Sequence, residues 1–188
     1  ETIKKVSVAF LPTGAIGFIL YKIIKTVLLG STAVVLWSLL IGGVILILFE
    51  LLHREKEDAT GSLSAITWRQ AVLIGVFQSL AVIPGGSRSA ATIVGGLILG
   101  MRRKLIVEFS FLLAVPTMLS ATVYDLYKNG ADFSASQFNG LALGFITSFL
   151  VALASIKFLI RFIQGHTFIS FGIYRIALVL VWAAVFKG

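Results

Sequence analysis

The sequence contains no cysteine, only three prolines and few charged residues. Without cysteine there is no disulfide framework, no thiolate nucleophile and no cysteine-ligated metal. Charged residues make up 13% of the 188 residues, apolar residues make up 58%, and the mean hydropathy is +1.01. This balance lies far from that of a soluble domain, and it predicts an integral membrane protein.

Acidic residues are also scarce, because eight aspartates and glutamates face sixteen lysines and arginines. The resulting formal charge of +8 could indicate nucleic-acid binding, but the basic residues lie at the ends of apolar segments and not on one polar face. We therefore expect membrane lipids, and no nucleic acid, as partners. The two histidines, His53 and His166, fall in short loops far apart in sequence, so a histidine metal site within the chain is not expected.

Five apolar runs are long enough to cross a bilayer, which takes about 20 helical residues for a hydrocarbon core of about 30 Å. These runs are Val6–Ile24, Ala33–Leu52, Leu105–Tyr127, Gln137–Ile163 and Phe168–Phe186. The polar stretch His53–Thr67 predicts a solvated linker. The sequence therefore predicts an all-α, polytopic membrane protein with a single membrane domain over residues 1–188.

Two shorter segments, Trp68–Val82 and Ser87–Gly100, cannot each cross the bilayer alone. Joined at Pro84-Gly85-Gly86, they predict a re-entrant hairpin over about residues 68–101, which enters the membrane and returns to the same side. A single long span broken at Pro84 is the alternative.

The basic residues divide unequally between the two sides of this arrangement. One side collects ten: Lys4, Lys5, Arg54, Lys56, Arg69, Arg102, Arg103, Lys104, Lys157 and Arg161. The other side collects four: Lys22, Lys25, Lys128 and Lys187. The positive-inside rule predicts that the first side is cytoplasmic and that the C-terminus lies outside.

The segment Pro84–Thr92, PGGSRSAAT, places one arginine, three hydroxyls and two glycines within an apolar surrounding. Polar groups at this density cost several kcal/mol in hydrocarbon unless they have partners, so the cluster indicates a functional site. Ser87 or Ser89 is suited to cap the helical run that follows, which puts a positive helix end beside Arg88 and favours phosphate. An ordinary Pro-Gly-Gly turn with a serine cap is the alternative.

This segment resembles the PGxSRSxxT signature of the bacterial undecaprenyl-diphosphate phosphatases, also known as bacitracin-resistance proteins. The resemblance continues through Gly75–Leu80, Glu108–Pro116, Asp125–Lys128 and Gly144–Thr147. It implies hydrolysis of undecaprenyl diphosphate to undecaprenyl phosphate and inorganic phosphate at the bacterial plasma membrane, which recycles the lipid carrier for cell-wall synthesis. The resemblance is also compatible with a homodimer.

The resemblance also implies two inverted repeats, each with a re-entrant hairpin, of which only the second is matched here. The Glu-x-x-x-Glu motif and the Ser/His loop of the first repeat have no match in this sequence. A divalent cation, Mg²⁺ or Ca²⁺, is implied by the family, and its carboxylate ligands would come from that first repeat. Because the chain begins at Glu1 without an initiator methionine, we expect a fragment or processed piece of a longer protein.

For a diphosphate substrate, Arg88 is the expected charge-neutralising residue, since a guanidinium bridges two phosphate oxygens. Ser87 is the second catalytic candidate, as hydrogen-bond donor or as nucleophile. The expected diphosphate-binding residues are Gly85, Gly86, Ser89, Thr92 and Gln78, the last by resemblance, with a buried packing amide as its alternative. Glu108 and Arg175 are either inter-helix partners or catalytic residues.

No histidine or carboxylate lies beside Pro84–Thr92 in sequence, so nothing adjacent can activate a nucleophile. We therefore expect these 188 residues alone to bind a diphosphate weakly and not to hydrolyse it. The competing function is an anion transporter or channel, because broken helices whose N-termini point at an anion also occur in transporters. An inactive membrane scaffold is a third hypothesis.

Overall fold

The computed structural model describes residues 1–23, 26, 28, 30–55, 59–129, 138–165 and 167–186. The helices of this described part are Thr2–Ile23 (α1), Thr32–Leu52 (α2), Trp68–Ser79 (α3), Arg88–Ile98 (α4), Arg103–Asn129 (α5), Phe138–Gly165 (α6) and Ile169–Phe186 (α7). Short 3₁₀ turns occupy Leu63–Ala65 and Leu80–Val82. The described residues contain no β-strand, and the predicted all-α class is confirmed.

Among the described helices, five are long and apolar enough to cross a membrane: α1, α2, α5, α6 and α7. They correspond to the five predicted spans, with ends that differ by a few residues. Many of their large apolar side chains face outward, and the apolar stretch of α6 buries none of its residues inside the protein. An apolar exterior of this extent requires a hydrocarbon solvent, so the protein is a multi-pass membrane protein.

Local side-chain caps fix where several helices begin. Ser31 accepts a hydrogen bond from the N–H of Val34 at the start of α2. Thr67 and Gln70 form a capping box at the start of α3, in which each side chain bonds the backbone of the other. Because α3 and α4 have only 12 and 11 residues, each is too short to span a bilayer.

The described residues of the linker between α2 and α3 are only partly solvated, so the prediction for His53–Thr67 was wrong in part; residues 56–58 lie outside the described part. Thr60 forms an isolated parallel bridge with Met101, exchanging hydrogen bonds of 2.9 Å with the Gly100 carbonyl and the Arg102 N–H. Ile66 is 1% exposed. Apolar side chains and the backbone groups freed where α4 ends draw this segment against the protein.

The core lies where α1, α3, α4 and α5 meet, around the fully buried Ile74, Ile106, Phe109 and Leu113. Glycines bring the backbones close: a Cβ added to Gly75 would clash with the carbonyl oxygen of Ala9 on α1. Of the remaining long helices, α2 adds the buried Leu46 to this core, and α7 packs mainly on α2.

An ion pair joins the ends of three helices. Arg103 at the start of α5 donates to both carboxylate oxygens of Glu50 near the end of α2, at 2.8 and 3.2 Å. The same guanidinium lies 4.8 Å from the ring centroid of Phe168, just before α7. The Glu50 side chain is 7% exposed, so this carboxylate is committed to the pair.

Candidate functional site

The turn between α3 and α4 contains two glycines, Gly85 and Gly86, which contribute to its conformation in different ways. Gly85 has a φ of +83°, a left-handed conformation that glycine adopts without strain. A Cβ there would also lie 2.7 Å from the carbonyl oxygen of Val35, so the tip sits directly against α2. The Gly86 N–H donates to the carbonyl of Ile83 at 2.8 Å and is therefore engaged within the turn.

Ser87 caps α4, which settles the choice between the two predicted capping serines. Its hydroxyl accepts a hydrogen bond from the Ala90 N–H at 3.2 Å. The N–H groups of Arg88 and Ser89 occupy the first two helical positions and therefore have no acceptor within the helix. With the helix dipole, these two amides give the start of α4 the character of an anion site.

Arg88 and Thr92 face α5, one turn apart along α4. The Arg88 guanidinium donates to the carbonyl of Ser110 at 3.3 Å and remains half-buried. Thr92 is fully buried, and its hydroxyl lies 2.7 Å from the Ser110 hydroxyl and within 3.1 Å of the Arg88 and Ser89 carbonyls. The Thr92 side chain is thus held between α4 and α5, where it cannot reach a ligand without moving.

Ser110 is a site-supporting residue that sequence reasoning missed. It contributes both its carbonyl, to Arg88, and its hydroxyl, to Thr92. Ser110 could have been found from its polarity, because it lies within the apolar segment Glu108–Pro116. The family resemblance rests partly on this segment. Glu108 lies half-buried two residues earlier in α5.

Gln78 lies in the helix interface and not at the hairpin tip. It is 1% exposed, and its amide nitrogen donates to the hydroxyls of Thr13 on α1 and Thr117 on α5, both at 3.1 Å. Those hydroxyls donate onward to the carbonyls of Gly75 and Leu113. This geometry fits the packing alternative. The amide oxygen of Gln78 is buried with no hydrogen-bond partner within the described part of the chain.

A cavity of about 720 Å³ lies between α2 and the hairpin. Its walls are almost entirely apolar, and its polar lining groups belong to Ser38, Ser87 and Arg175. Along α4 it follows the face that carries Ser87, Ala90, Ala91, Val94 and Ile98. Arg88 is not among the lining residues, so the start of α4 presents Ser87 to the cavity and Arg88 to α5.

Arg175 on α7 reaches the hairpin tip across α2. Its guanidinium donates to the carbonyls of Gly85 at 2.8 Å, Ser38 at 3.1 Å and Leu39 at 3.4 Å. Of the two roles that the sequence left open for Arg175, the inter-helix role matches these contacts. Nothing in the sequence indicated that Arg175 would contact the tip.

The described residues do not supply a carboxylate set for a divalent cation. No three histidine, aspartate or glutamate side chains cluster in this part of the protein, and Glu50 is paired with Arg103. Magnesium and calcium prefer several oxygen ligands that include carboxylates.

Residues 1–181 match the protein-family model described as bacitracin resistance protein BacA. The chain belongs to this family. The membership confirms the resemblance carried by Pro84–Thr92, the segment at which α3 and α4 meet.

Several relatives of this chain are named undecaprenyl-diphosphatase. The relative from a Sulfurihydrogenibium species is 52% identical over 179 residues, which are 95% of this chain and 70% of the relative. That from Aquifex aeolicus is 51% identical over 186 residues, covering 99% of this chain and 72% of the relative. That from Wolinella succinogenes is 48% identical over 178 residues, covering 95% and 69%.

Proposed function

We propose that this protein is an undecaprenyl-diphosphatase, which hydrolyses undecaprenyl diphosphate to undecaprenyl phosphate and inorganic phosphate. The observation that carries the proposal is identity of about half the residues over 95% or more of the chain to relatives with that name. The matched region includes the Pro84–Thr92 turn. Its chemistry is that of a phosphate site, since it combines a helix N-terminus, a guanidinium and hydroxyls.

The first turn of α4 supplies the groups that hold the terminal phosphate. A phosphate over this turn can accept hydrogen bonds from the N–H groups of Arg88 and Ser89. The Ser87 hydroxyl accepts from Ala90, so its own proton is free to be donated to a phosphate oxygen. Arg88, half-buried in a medium of low dielectric constant, neutralises charge that builds on the phosphoryl oxygens.

The reaction breaks the bond between the terminal phosphorus and the bridging oxygen. A water oxygen attacks the phosphorus, the bridging oxygen leaves with the bonding electrons on undecaprenyl phosphate, and the water proton passes to a base or to solvent. Arg88 stabilises the charge on the oxygens during this exchange. Because Ser87 already serves as the cap of α4, we assign it to hydrogen bonding and not to nucleophilic attack.

The apolar cavity is suited to the lipid tail of the substrate. It begins at the tip, through Gly86 and Ser87, and continues between α2 and α4. Its volume of about 720 Å³ lies within the usual range for ligand pockets. An isoprenoid chain in this cavity would leave its diphosphate at the start of α4.

We further propose that the protein lies in the bacterial plasma membrane with its C-terminus outside, on the basis of the charge asymmetry. A divalent cation, Mg²⁺ or Ca²⁺, is proposed as a cofactor, and when bound it would supply Lewis-acid chemistry. Its ligands would come from residues other than those described here, in keeping with the family's first repeat.

Phosphate release from undecaprenyl diphosphate in detergent tests this function, because detergent removes the compartments that a transporter needs. The assay is run on the 188 residues and on a chimera that adds the part of the longer Aquifex aeolicus relative that this chain does not cover. We expect cation-dependent release from the chimera and little from the 188 residues alone. No release from either folded protein would refute the proposed function. Release from the 188 residues alone would support the proposed function. It would also show that these residues contain a group that activates the nucleophile, contrary to our expectation.

A further inference from the structure

Arg175 is an arginine in the middle of an apolar membrane helix, and ion pairing does not account for it. The ion pairs found within the described residues are Lys5 with Glu1 and Arg103 with Glu50. Arg175 instead gives its hydrogen bonds to three backbone carbonyls. A cation kept inside an apolar span without a carboxylate partner is costly, which points to a function for it.

The root of the Arg175 side chain is fixed by close contact between α7 and α2. A Cβ on Gly172, one turn before Arg175, would lie 2.8 Å from the carbonyl oxygen of Gly43. A Cβ on Gly43 would lie 2.9 Å from the carbonyl oxygen of Gly172. The two backbones are therefore in contact at these glycines, which fixes the position of the Arg175 backbone relative to α2.

Gly42 leaves the space through which the guanidinium passes. A Cβ on Gly42 would lie 2.6 Å from Nη2 and 3.2 Å from Cζ of Arg175. Nη2 is the same nitrogen that donates to the carbonyls of Ser38 and Gly85. A methyl group at Gly42 would therefore displace the donor from the tip without removing the positive charge.

The contact with Gly85 completes a clamp on a single peptide group. The oxygen of the Gly85–Gly86 peptide accepts from Arg175 at 2.8 Å, and its N–H donates to Ile83 at 2.8 Å. Both polar ends of the peptide plane are therefore held. The next residue, Ser87, caps α4, so the orientation of this peptide sets the direction in which the first turn of α4 begins.

We propose that Arg175 is a positioning residue that holds the hairpin tip in the conformation needed for phosphate transfer. The proposal rests on the proposed phosphatase function. Arg175 acts through the Gly85–Gly86 peptide, which aims Ser87 and the amides of Arg88 and Ser89 at the phosphate. Misplacement of such groups by about 1 Å costs on the order of 10²-fold in rate.

Two substitutions remove the clamp in different ways and are tested in the catalytically active form of the protein. Arg175→Gln removes the guanidinium, whereas Gly42→Ala keeps the charge and shifts it. We expect each to lower kcat roughly 10- to 100-fold and to leave KM within about threefold, because the apolar walls along α4 that would hold the lipid tail are unchanged. The double variant should be no slower than Arg175→Gln alone, since both changes break one contact.

Matched controls separate this role from general damage. Arg161→Gln changes an exposed arginine on α6, and Gly17→Ala adds a methyl group where nothing lies within 4 Å. Both should keep wild-type kcat. A raised KM with unchanged kcat in Arg175→Gln would show direct binding of substrate and overturn the proposal, as would additive effects in the double variant.

Amide hydrogen exchange provides a readout that does not depend on phosphatase activity. Arg175→Gln and Gly42→Ala should increase exchange at the tip, residues 83–91, and leave exchange along α6 unchanged. Unchanged exchange at the tip in both folded variants would overturn the clamp even if the protein proved to be a phosphatase. Increased exchange would support the clamp even if the substrate were a different one.

Discussion

Replacing Gly75 by alanine tests the packing of α1 on α3, which holds the hairpin against the first span. The added Cβ would clash with the carbonyl oxygen of Ala9 and would lie 2.9 Å from its carbonyl carbon. It would also lie 3.2 Å from Cδ of Pro12. Because the nearest atoms belong to a helix backbone, no side-chain rotation can relieve the clash, and the two helices must separate.

The size of the effect follows from these contacts. Ordinary carbon–oxygen contacts are about 3.3 Å or longer, so the helices must separate by about 1 Å or more. Overpacking of this kind costs about 1–3 kcal/mol. Separation also strains the Thr13–Gly75 and Gln78–Thr13 hydrogen bonds, each worth about 1 kcal/mol. Together we expect about 2–5 kcal/mol, which lowers Tm by roughly 5–15 °C for a chain of this size.

The assay is thermal unfolding of both proteins in one detergent, followed by circular dichroism. The matched control is Gly17→Ala on α1, the helix that Gly75 contacts, where an added Cβ meets nothing within 4 Å. The control should keep or slightly raise Tm, since alanine favours a helix by up to about 1 kcal/mol over glycine. A Tm for Gly75→Ala within about 2 °C of wild type would show that α1 and α3 are not packed as described.

Three further predictions concern the site, the topology and the ion pair. Arg88→Lys in the active form should fold normally and lower kcat by a factor on the order of 10²–10³, because an ammonium cannot make the bidentate contact with phosphate. Near-normal turnover would exclude Arg88 as the residue that stabilises the phosphoryl charge. Cysteines at Ser62 and Lys104 should react with an impermeant thiol reagent from the same, cytoplasmic side, and labelling from opposite sides would replace the hairpin by a crossing helix. Glu50→Gln should destabilise the protein by about 1–3 kcal/mol in thermal unfolding, since it leaves Arg103 without its charged partner, and an unchanged Tm would argue against the pair.

Features that depend on a short stretch of sequence could be predicted well. The five long helices follow from the lengths of the apolar runs, and the limits of α3 and α4 follow from the Pro84-Gly85-Gly86 break. Ser87 was one of two predicted caps, and it forms the cap because its hydroxyl faces the N–H of Ala90. Each of these outcomes is decided by neighbours within a few residues.

The partners across helices could be assigned only from the tertiary structure. Arg175 contacts Gly85, 90 residues earlier, and Gln78 joins Thr13 to Thr117. In a soluble helix the polar face shows which side is outside, but here the lipid-facing surfaces are as apolar as the buried ones, so the sequence does not specify the rotation of each helix about its axis. Glycine contacts and hydrogen bonds between distant residues fix those rotations, and they exist only once the helices have packed.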